Sequence, residues 1–163
     1  RVGIECEIAA CIGSDMVGTL GPYTIESVKD AVSALMAAIE LVDDRYENYS
    51  NLSAPTLIAD DFFNAGAVLG KENKNWRSLD LKKIMGTLFI DNKQHSRGIS
   101  ADILGDPMEA LAWLANHRAG LGKPLRSGDF VLLGSVTQTV FIEESAFVEV
   151  DLEGLGKASV ELT

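Results

Sequence analysis

The chain has 163 residues, 47% of them hydrophobic and 23% charged, which is enough for one domain with a sizeable core and is an ordinary globular composition. Its formal net charge is −10, from 24 acidic against 14 basic side chains, and this argues against a nucleic-acid partner, because phosphate contacts need a basic face. No secretory signal is visible, and the longest apolar stretch, Ala31 to Val42, is broken by Ser33 and Glu40 and is too short to cross a bilayer, so no membrane partner is expected.

The sequence starts at Arg1 rather than at a methionine, as a processed product or a part of a longer protein would. Residues 1–163 are read as a single domain of catalytic type. Gly3 to Ile12 reads as a strand, Gly18 to Pro22 as a loop, and Thr24 as the N-cap of a helix carrying Ile25, Val28, Val32 and Leu35 at helical spacing. Ala37 to Val42 reads as a second buried strand, followed by the charged run Asp43, Asp44, Arg45 and a polar loop from Tyr46 to Pro55. Ala65 to Leu69 is a short strand, and Gly70 to Ser78 a solvated loop. Ile84 to Ile90 and Gln94 to Ile99 flank Asp91-Asn92-Lys93, a hairpin connection with favourable turn residues.

The best-signposted helix follows: Asp106 can cap it, Pro107 suits its first position, and Glu109 stands three after the cap. Leu111, Leu114 and Ala115 supply its buried stripe, and Gly120 or Gly122 ends it. Four short strands are then expected at Phe130 to Leu133, Thr139 to Ile142, Phe147 to Leu152 and Ala158 to Leu162. The elements sum to an α+β, β-rich fold without regular βαβ alternation.

Glu5 and Glu7 interrupt the first strand, GIECEIAACI. Side chains alternate along a strand, so the two carboxylates share a face, about 6.6 Å apart, while Cys6 points the other way. Glu40 is again a lone acid in an apolar run, LMAAIELVDD. Burying unpaired carboxylates is costly, so something positive is expected between them. Three carboxylates from two strands can converge on one hard divalent cation, Mg²⁺ or Mn²⁺, leaving places for substrate oxygens. The alternative for each glutamate is a solvent-facing position on an edge strand.

Other groups carry weaker signals. Cys6 and Cys11 are the only cysteines and lie five apart without a CxxC, so zinc is not expected and a reducing, cytoplasmic compartment is. His95 and His117 read as hairpin and helix-end residues. Gly134-Ser135 lacks the GxSxG setting of a nucleophile elbow and reads as a turn. Trp76 and Trp113 read as packing residues.

The segments GIECEIA, AAIELVDDRY, TLIADDFFNAGAVLG, GDPMEALAWLANHRAGLGKPLRSGDFVLLGSVTQTV and GLGKASVELT occur in this order. Together they resemble the 2-keto-4-pentenoate hydratase family, within the fumarylacetoacetate hydrolase superfamily. The resemblance implies a mixed-sheet β-roll or sandwich with peripheral helices and a homo-oligomer. It also implies Mg²⁺ or Mn²⁺ on Glu5, Glu7 and Glu40, with a small 2-oxo acid held through its carboxylate and keto oxygens. The implied reaction is hydration of a 2-oxo-4-enoate to a 4-hydroxy-2-oxo acid, in catabolism of the aromatic meta-cleavage type. Decarboxylation of a 2-oxo-enedioate, C–C hydrolysis, or a non-catalytic metal-binding or assembly domain are the alternatives. The family's N-terminal segment, with its lysine in a Gly-x-Lys-type motif, has no counterpart in the sequence.

Where that family reads Ala-Asp-Asn-Ala-Ser, this chain reads Ala59-Asp60-Asp61-Phe62-Phe63. Phe63 adds bulk and removes a donor, and Asp61 adds negative charge, both of which disfavour a second substrate carboxylate. Phe63, Gly134 and Ser135 are the expected substrate-contacting positions. Asp60 and Asp61 are the candidates for lining the pocket or orienting water.

Overall fold

A computed structural model describes residues 1–17 and 22–163; of the loop expected from Gly18 to Pro22, residues 18–21 lie outside the described residues. Two layers of sheet enclose the main core. The first contains β1 (Val2–Ile12), β2 (Val32–Asp43), β3 (Asn64–Leu69) and β6 (Phe130–Ser135) in the order β3-β2-β1-β6, with β7 (Val140–Ile142) also paired to β1. The second contains β4 (Met85–Ile90), β5 (Lys93–Ile99), β8 (Ala146–Leu152) and β9 (Gly156–Leu162) in the order β5-β4-β8-β9. Every strand pairing among the described residues is antiparallel, so the expected α+β, β-rich roll is present with antiparallel rather than mixed sheets.

Alternation along the strands decides what each face does. Ile4, Cys6, Ile8, Ala10 and Ile12 of β1, with Leu35, Ala37 and Ile39 of β2, are buried in the core with Leu88, Val148, Val150 and Leu152 of the second sheet. Each fully buried Ile or Leu contributes about 1.5–3 kcal/mol. The other face of the same two strands carries Glu5, Glu7 and Glu40, so core and site are back to back on one ladder.

The helices close the core. Helix α1 (Ile25–Ala31) starts at Thr24, whose hydroxyl accepts the Ser27 backbone N–H at 3.3 Å while the Ser27 hydroxyl accepts the Thr24 N–H at 2.8 Å. It ends at Ala31, so Val32 and Leu35, expected on its stripe, belong to β2 instead. Their pairing with Ile12 and Ala10 of β1 outweighs the helical spacing, and β-branched Val32 suits the strand. Helix α3 (Pro107–Gly120) is capped as expected, Asp106 Oδ1 accepting the Met108 N–H at 2.9 Å, and buries Met108, Leu111, Ala112 and Ala115. Asn116 ties it to the start of α1, with its side chain bonding both the N–H and the C=O of Tyr23 at 2.8 and 2.9 Å.

Three loops differ from expectation. The polar stretch expected to be loop through Pro55 gives way to helix α2 (Ala54–Ala59), with Ser53 before it and Pro55 in its first turn, where its missing N–H costs nothing. Trp76, in the segment expected to be solvated, is buried to 1% exposure. The β4–β5 hairpin turns on Asp91 and Asn92 alone, both at positive φ (49° and 62°), as a two-residue type I′ connection requires. Among the described residues, no helix is long and apolar enough to cross a membrane.

Candidate metal centre

Glu5 and Glu40 are direct cross-strand partners in the β1–β2 ladder, and Glu7 is two residues along the same face. Carboxylate oxygens of the three lie within 4.8 Å of one another. The structure therefore brings together the three acids that the sequence singled out. Neighbouring oxygens around a six-coordinate Mg²⁺ are about 3 Å apart, so the three side chains would close in further to share one ion.

The neighbouring strand is interrupted just where it passes these acids. Strand β6 pairs with the far half of β1 and β7 with the near half, and the pairing slips between Glu7 and Ala9. The segment between them turns back over the site. Gly134 N–H donates to Glu7 Oε2 at 2.7 Å, and the Thr139 hydroxyl donates to Glu5 Oε1. From the other side, Asn64 at the start of β3 donates its amide to Glu40 Oε1 at 2.8 Å. Each acid thus has its own orienting donor.

Gly134 is needed here as glycine. Its φ is +130°, and an added Cβ would stand 2.9 Å from Ile103 Cγ2.

The electrostatics are unbalanced. Glu7 is 2% exposed, and burial pushes its pKa up from 4.5 to about 8; the Gly134 N–H opposes this, while the charges of Glu40 and Glu5 add to it. The Glu40 pKa is also raised, first by burial, with Asn64 pulling it down and Glu5 and Asp61 pushing it further up. Among the described residues, no Lys or Arg makes an ion pair with any of the three. Three hard oxygen donors converging without a counter-charge fit a divalent cation.

These acids form one end of a cavity of about 780 Å³, which Phe63, Gly134 and Ser135 line with them. Ser135 spends its hydroxyl proton on the Thr137 carbonyl at 2.6 Å, tying the turn together. Thr137 Oγ1 is buried beside it without a partner among the described residues.

Asp61 lines an adjoining cavity that shares Glu40. Asp60 is outside both linings: its Oδ1 meets Arg45 Nη1 at 3.2 Å, tying α2 to the segment after β2. His95 and His117 are also outside the cavity, His117 being stacked on Trp113 at 5.1 Å.

Sequence reasoning missed Asn64, Thr139, Tyr49 and Phe141. Asn64 had one usable signal, a polar amide placed where a strand resumes beside the acid run. Thr139 is one threonine among several, and only the interrupted β6–β7 pairing brings it to Glu5.

The chain is 34% identical over 160 residues to the 2-keto-4-pentenoate hydratase of Burkholderia vietnamiensis, covering 98% of this chain and 60% of that protein. It is 31% identical over 160 residues to a 4-oxalocrotonate decarboxylase of a Pseudomonas species, again covering 98% and 60%. In three dimensions it is similar to the 4-oxalocrotonate decarboxylase of Pseudomonas putida G7 in complex with magnesium and adipate, with a TM-score of 0.86 at 24% identity over 97% of this chain and 59% of that one. The chain spans about 60% of the length of the curated relatives it matches. The fumarylacetoacetate hydrolase C-terminal family model matches residues 1–163, from the first of the paired glutamates' strand to the last strand of the second sheet, and the chain belongs to that family.

Proposed function

We propose that the chain is the metal-dependent part of a lyase that hydrates a 2-oxo-4-enoate, the keto form of a 2-hydroxy-2,4-dienoate, to a 4-hydroxy-2-oxo acid. The observation that carries this reading is the convergence of Glu5, Glu7 and Glu40 within 4.8 Å at one end of a cavity. It is supported by the 34% identity to a 2-keto-4-pentenoate hydratase.

Glu5, Glu7 and Glu40 would hold Mg²⁺ or Mn²⁺. Bound there, the cation supplies Lewis acidity, drawing electron density from the 2-oxo group so that charge accumulating during rearrangement of the conjugated system is stabilised. The remaining work falls to the chain itself. Gly134, Thr139 and Asn64 aim the three carboxylates, which keeps them converged rather than splayed apart by repulsion. Phe63 and Phe141 wall the cavity and limit water around the substrate. Asp61, exposed beside Glu40, is our candidate for orienting the water that adds.

Decarboxylation of a 2-oxo-enedioate is the second reading, and the 31% identity to a 4-oxalocrotonate decarboxylase favours it. The acidic and aromatic lining of the cavity favours the hydratase. Two free cysteines accord with a reducing, cytoplasmic setting. Exposed Trp113, Leu121 and Phe130 accord with a homo-oligomer, which light scattering would test.

The test is loss of ultraviolet absorbance of 2-hydroxypenta-2,4-dienoate with the polypeptide carrying this chain, in Mg²⁺ or Mn²⁺ and in chelator. Metal-dependent consumption with a raised melting temperature is expected. Absence of any thermal shift with either ion would overturn the reading.

A further inference from the structure

The cavity continues well beyond the three glutamates. Alternation along β2, continued by Asp44 just past its end, puts Glu40, Val42 and Asp44 on one face, and all three line the cavity. Four residues of strand is roughly 13 Å, longer than a five-carbon acid. Opposite Val42 in β1 stands Gly3, where an added Cβ would come within 2.9 Å of Thr139 Cγ2 and 3.2 Å of both Phe141 and Val42. Thr139, Phe141 and Val42 therefore pack directly over Gly3, and Val42 and Phe141 present hydrocarbon to the middle section of the cavity.

The walls of this middle section are aromatic. Phe62, Phe63, Phe141 and Tyr49 line it. Phe63 is clasped by Tyr46 and Tyr49 in edge-to-face contacts, with ring centroids at 5.8 and 5.6 Å. The backbone of Asp61, Phe62 and Phe63 is left-handed throughout (φ 57°, 49° and 69°), a cost of about 1–2 kcal/mol per residue in L-amino acids. Phe63 is thus held in the wall by packing that outweighs backbone strain.

The far end is acidic. Among the described residues, every charged side chain lining the cavity is a carboxylate: Glu5, Glu7, Glu40 and Asp44. The nearest cation, Arg1, is engaged, its guanidinium meeting Asp44 Oδ2 at 2.5 and 3.1 Å and lying 4.1 Å over the Phe141 ring. The Arg1 pairing keeps Asp44 ionised, holding its pKa below the usual carboxylate range. A ligand carboxylate arriving here would lose water to meet aromatic carbon and a like charge.

We propose that Phe63 and Asp44 are specificity-determining residues, and that the cavity takes 2-oxo acids whose far end is an uncharged hydrocarbon chain or ring while excluding those that end in a second carboxylate. This rests on the reading above that the 2-oxo acid head sits at the Glu5, Glu7 and Glu40 end. It extends that reading to substrate class, namely 2-oxo-4-enoates with a hydrocarbon substituent beyond C5.

Saturated 2-oxo acids test it by binding alone. Calorimetric titration in Mg²⁺ would compare pyruvate, 2-oxobutanoate, 2-oxohexanoate, 2-oxooctanoate and the diacid 2-oxooctanedioate. Each added methylene that reaches the aromatic section is expected to tighten binding by up to about four-fold. The equally long diacid 2-oxooctanedioate, whose far carboxylate reaches toward Asp44, should bind at least about ten-fold more weakly than 2-oxooctanoate. D44N, which frees Arg1, should narrow that gap, and F63S should flatten the dependence on chain length while F63L retains it. F63L also guards against loss of folding in F63S. Metal-dependent binding of pyruvate with equal affinity for 2-oxooctanoate and 2-oxooctanedioate would overturn this inference and leave the 2-oxo acid site standing. No metal-dependent binding of any member would overturn both.

Discussion

Glu5 and Glu40 face each other across the β1–β2 ladder, the one pair of like charges directly opposed in that register. Such a pair costs about 0.2–1 kcal/mol relative to neutral partners. E40Q should therefore raise the melting temperature in chelator by about 1–3 °C and abolish the further rise on adding Mg²⁺ or Mn²⁺. Differential scanning calorimetry with and without metal reads both. A variant that melts lower in chelator yet keeps the metal response would contradict the assignment of this pair.

The pKa of Glu7 rises from 4.5 to about 8 on folding, and that of Glu40 moves in the same direction. A raised folded-state pKa means that the native protein keeps a proton which the unfolded chain has released. The stability from this source is complete below about pH 4.5 and is lost as pH rises through about 8. In chelator, the wild-type melting temperature should fall over that window relative to E7Q. Metal binding must displace the proton, so affinity for Mg²⁺ should climb by up to about ten-fold per pH unit toward 8 and then level. Parallel pH profiles for wild type and E7Q in chelator would refute this account of Glu7.

Asn64 holds Glu40 through a 2.8 Å hydrogen bond without belonging to the acid trio. Removing such an outer partner commonly costs 10–100-fold in metal affinity, and N64A should fall within about that range by calorimetric titration. N64D places a further negative charge beside Glu40 and should push its pKa higher still. Wild-type affinity in N64A would mean that Glu40 is oriented by packing alone.

Gly134 joins backbone conformation to the site, because its N–H meets Glu7 while its φ of +130° and the approach of Ile103 leave no room for a Cβ. G134A should cost about 1–3 kcal/mol, a fall of about 2–10 °C in melting temperature. A second alanine variant at Gly105, where an added Cβ meets nothing within 4 Å, separates backbone strain from crowding. G134A should be the worse of the two.

The acid trio was legible because two local rules agreed: alternation put Glu5 and Glu7 on one face, and Glu40 broke an apolar run in the same way. The capped helix α3 was legible because Asp106, Pro107 and the apolar stripe all mark the same boundary. The α1–β2 boundary was not, since Val28, Val32 and Leu35 satisfy helical spacing while Val32 and Leu35 also satisfy strand burial. Only pairing with β1 decides between them. The orienting donors were hidden for a related reason. Asn64 and Thr139 acquire their partners from strands 24 and 134 residues away in sequence, and no local pattern records a contact of that range. Asp60 shows the reverse case, an acid in a promising motif whose charge is absorbed by Arg45.

The Tyr46–Phe63–Tyr49 clasp has an evolutionary consequence. The ring that shapes the chamber is also the ring that restrains a reluctant stretch of main chain. Replacing Phe63 by a smaller or more polar side chain would therefore release that stretch as well. Change at this position along the lineage would proceed in coupled steps, with residues 46 and 49 changing in company with 63.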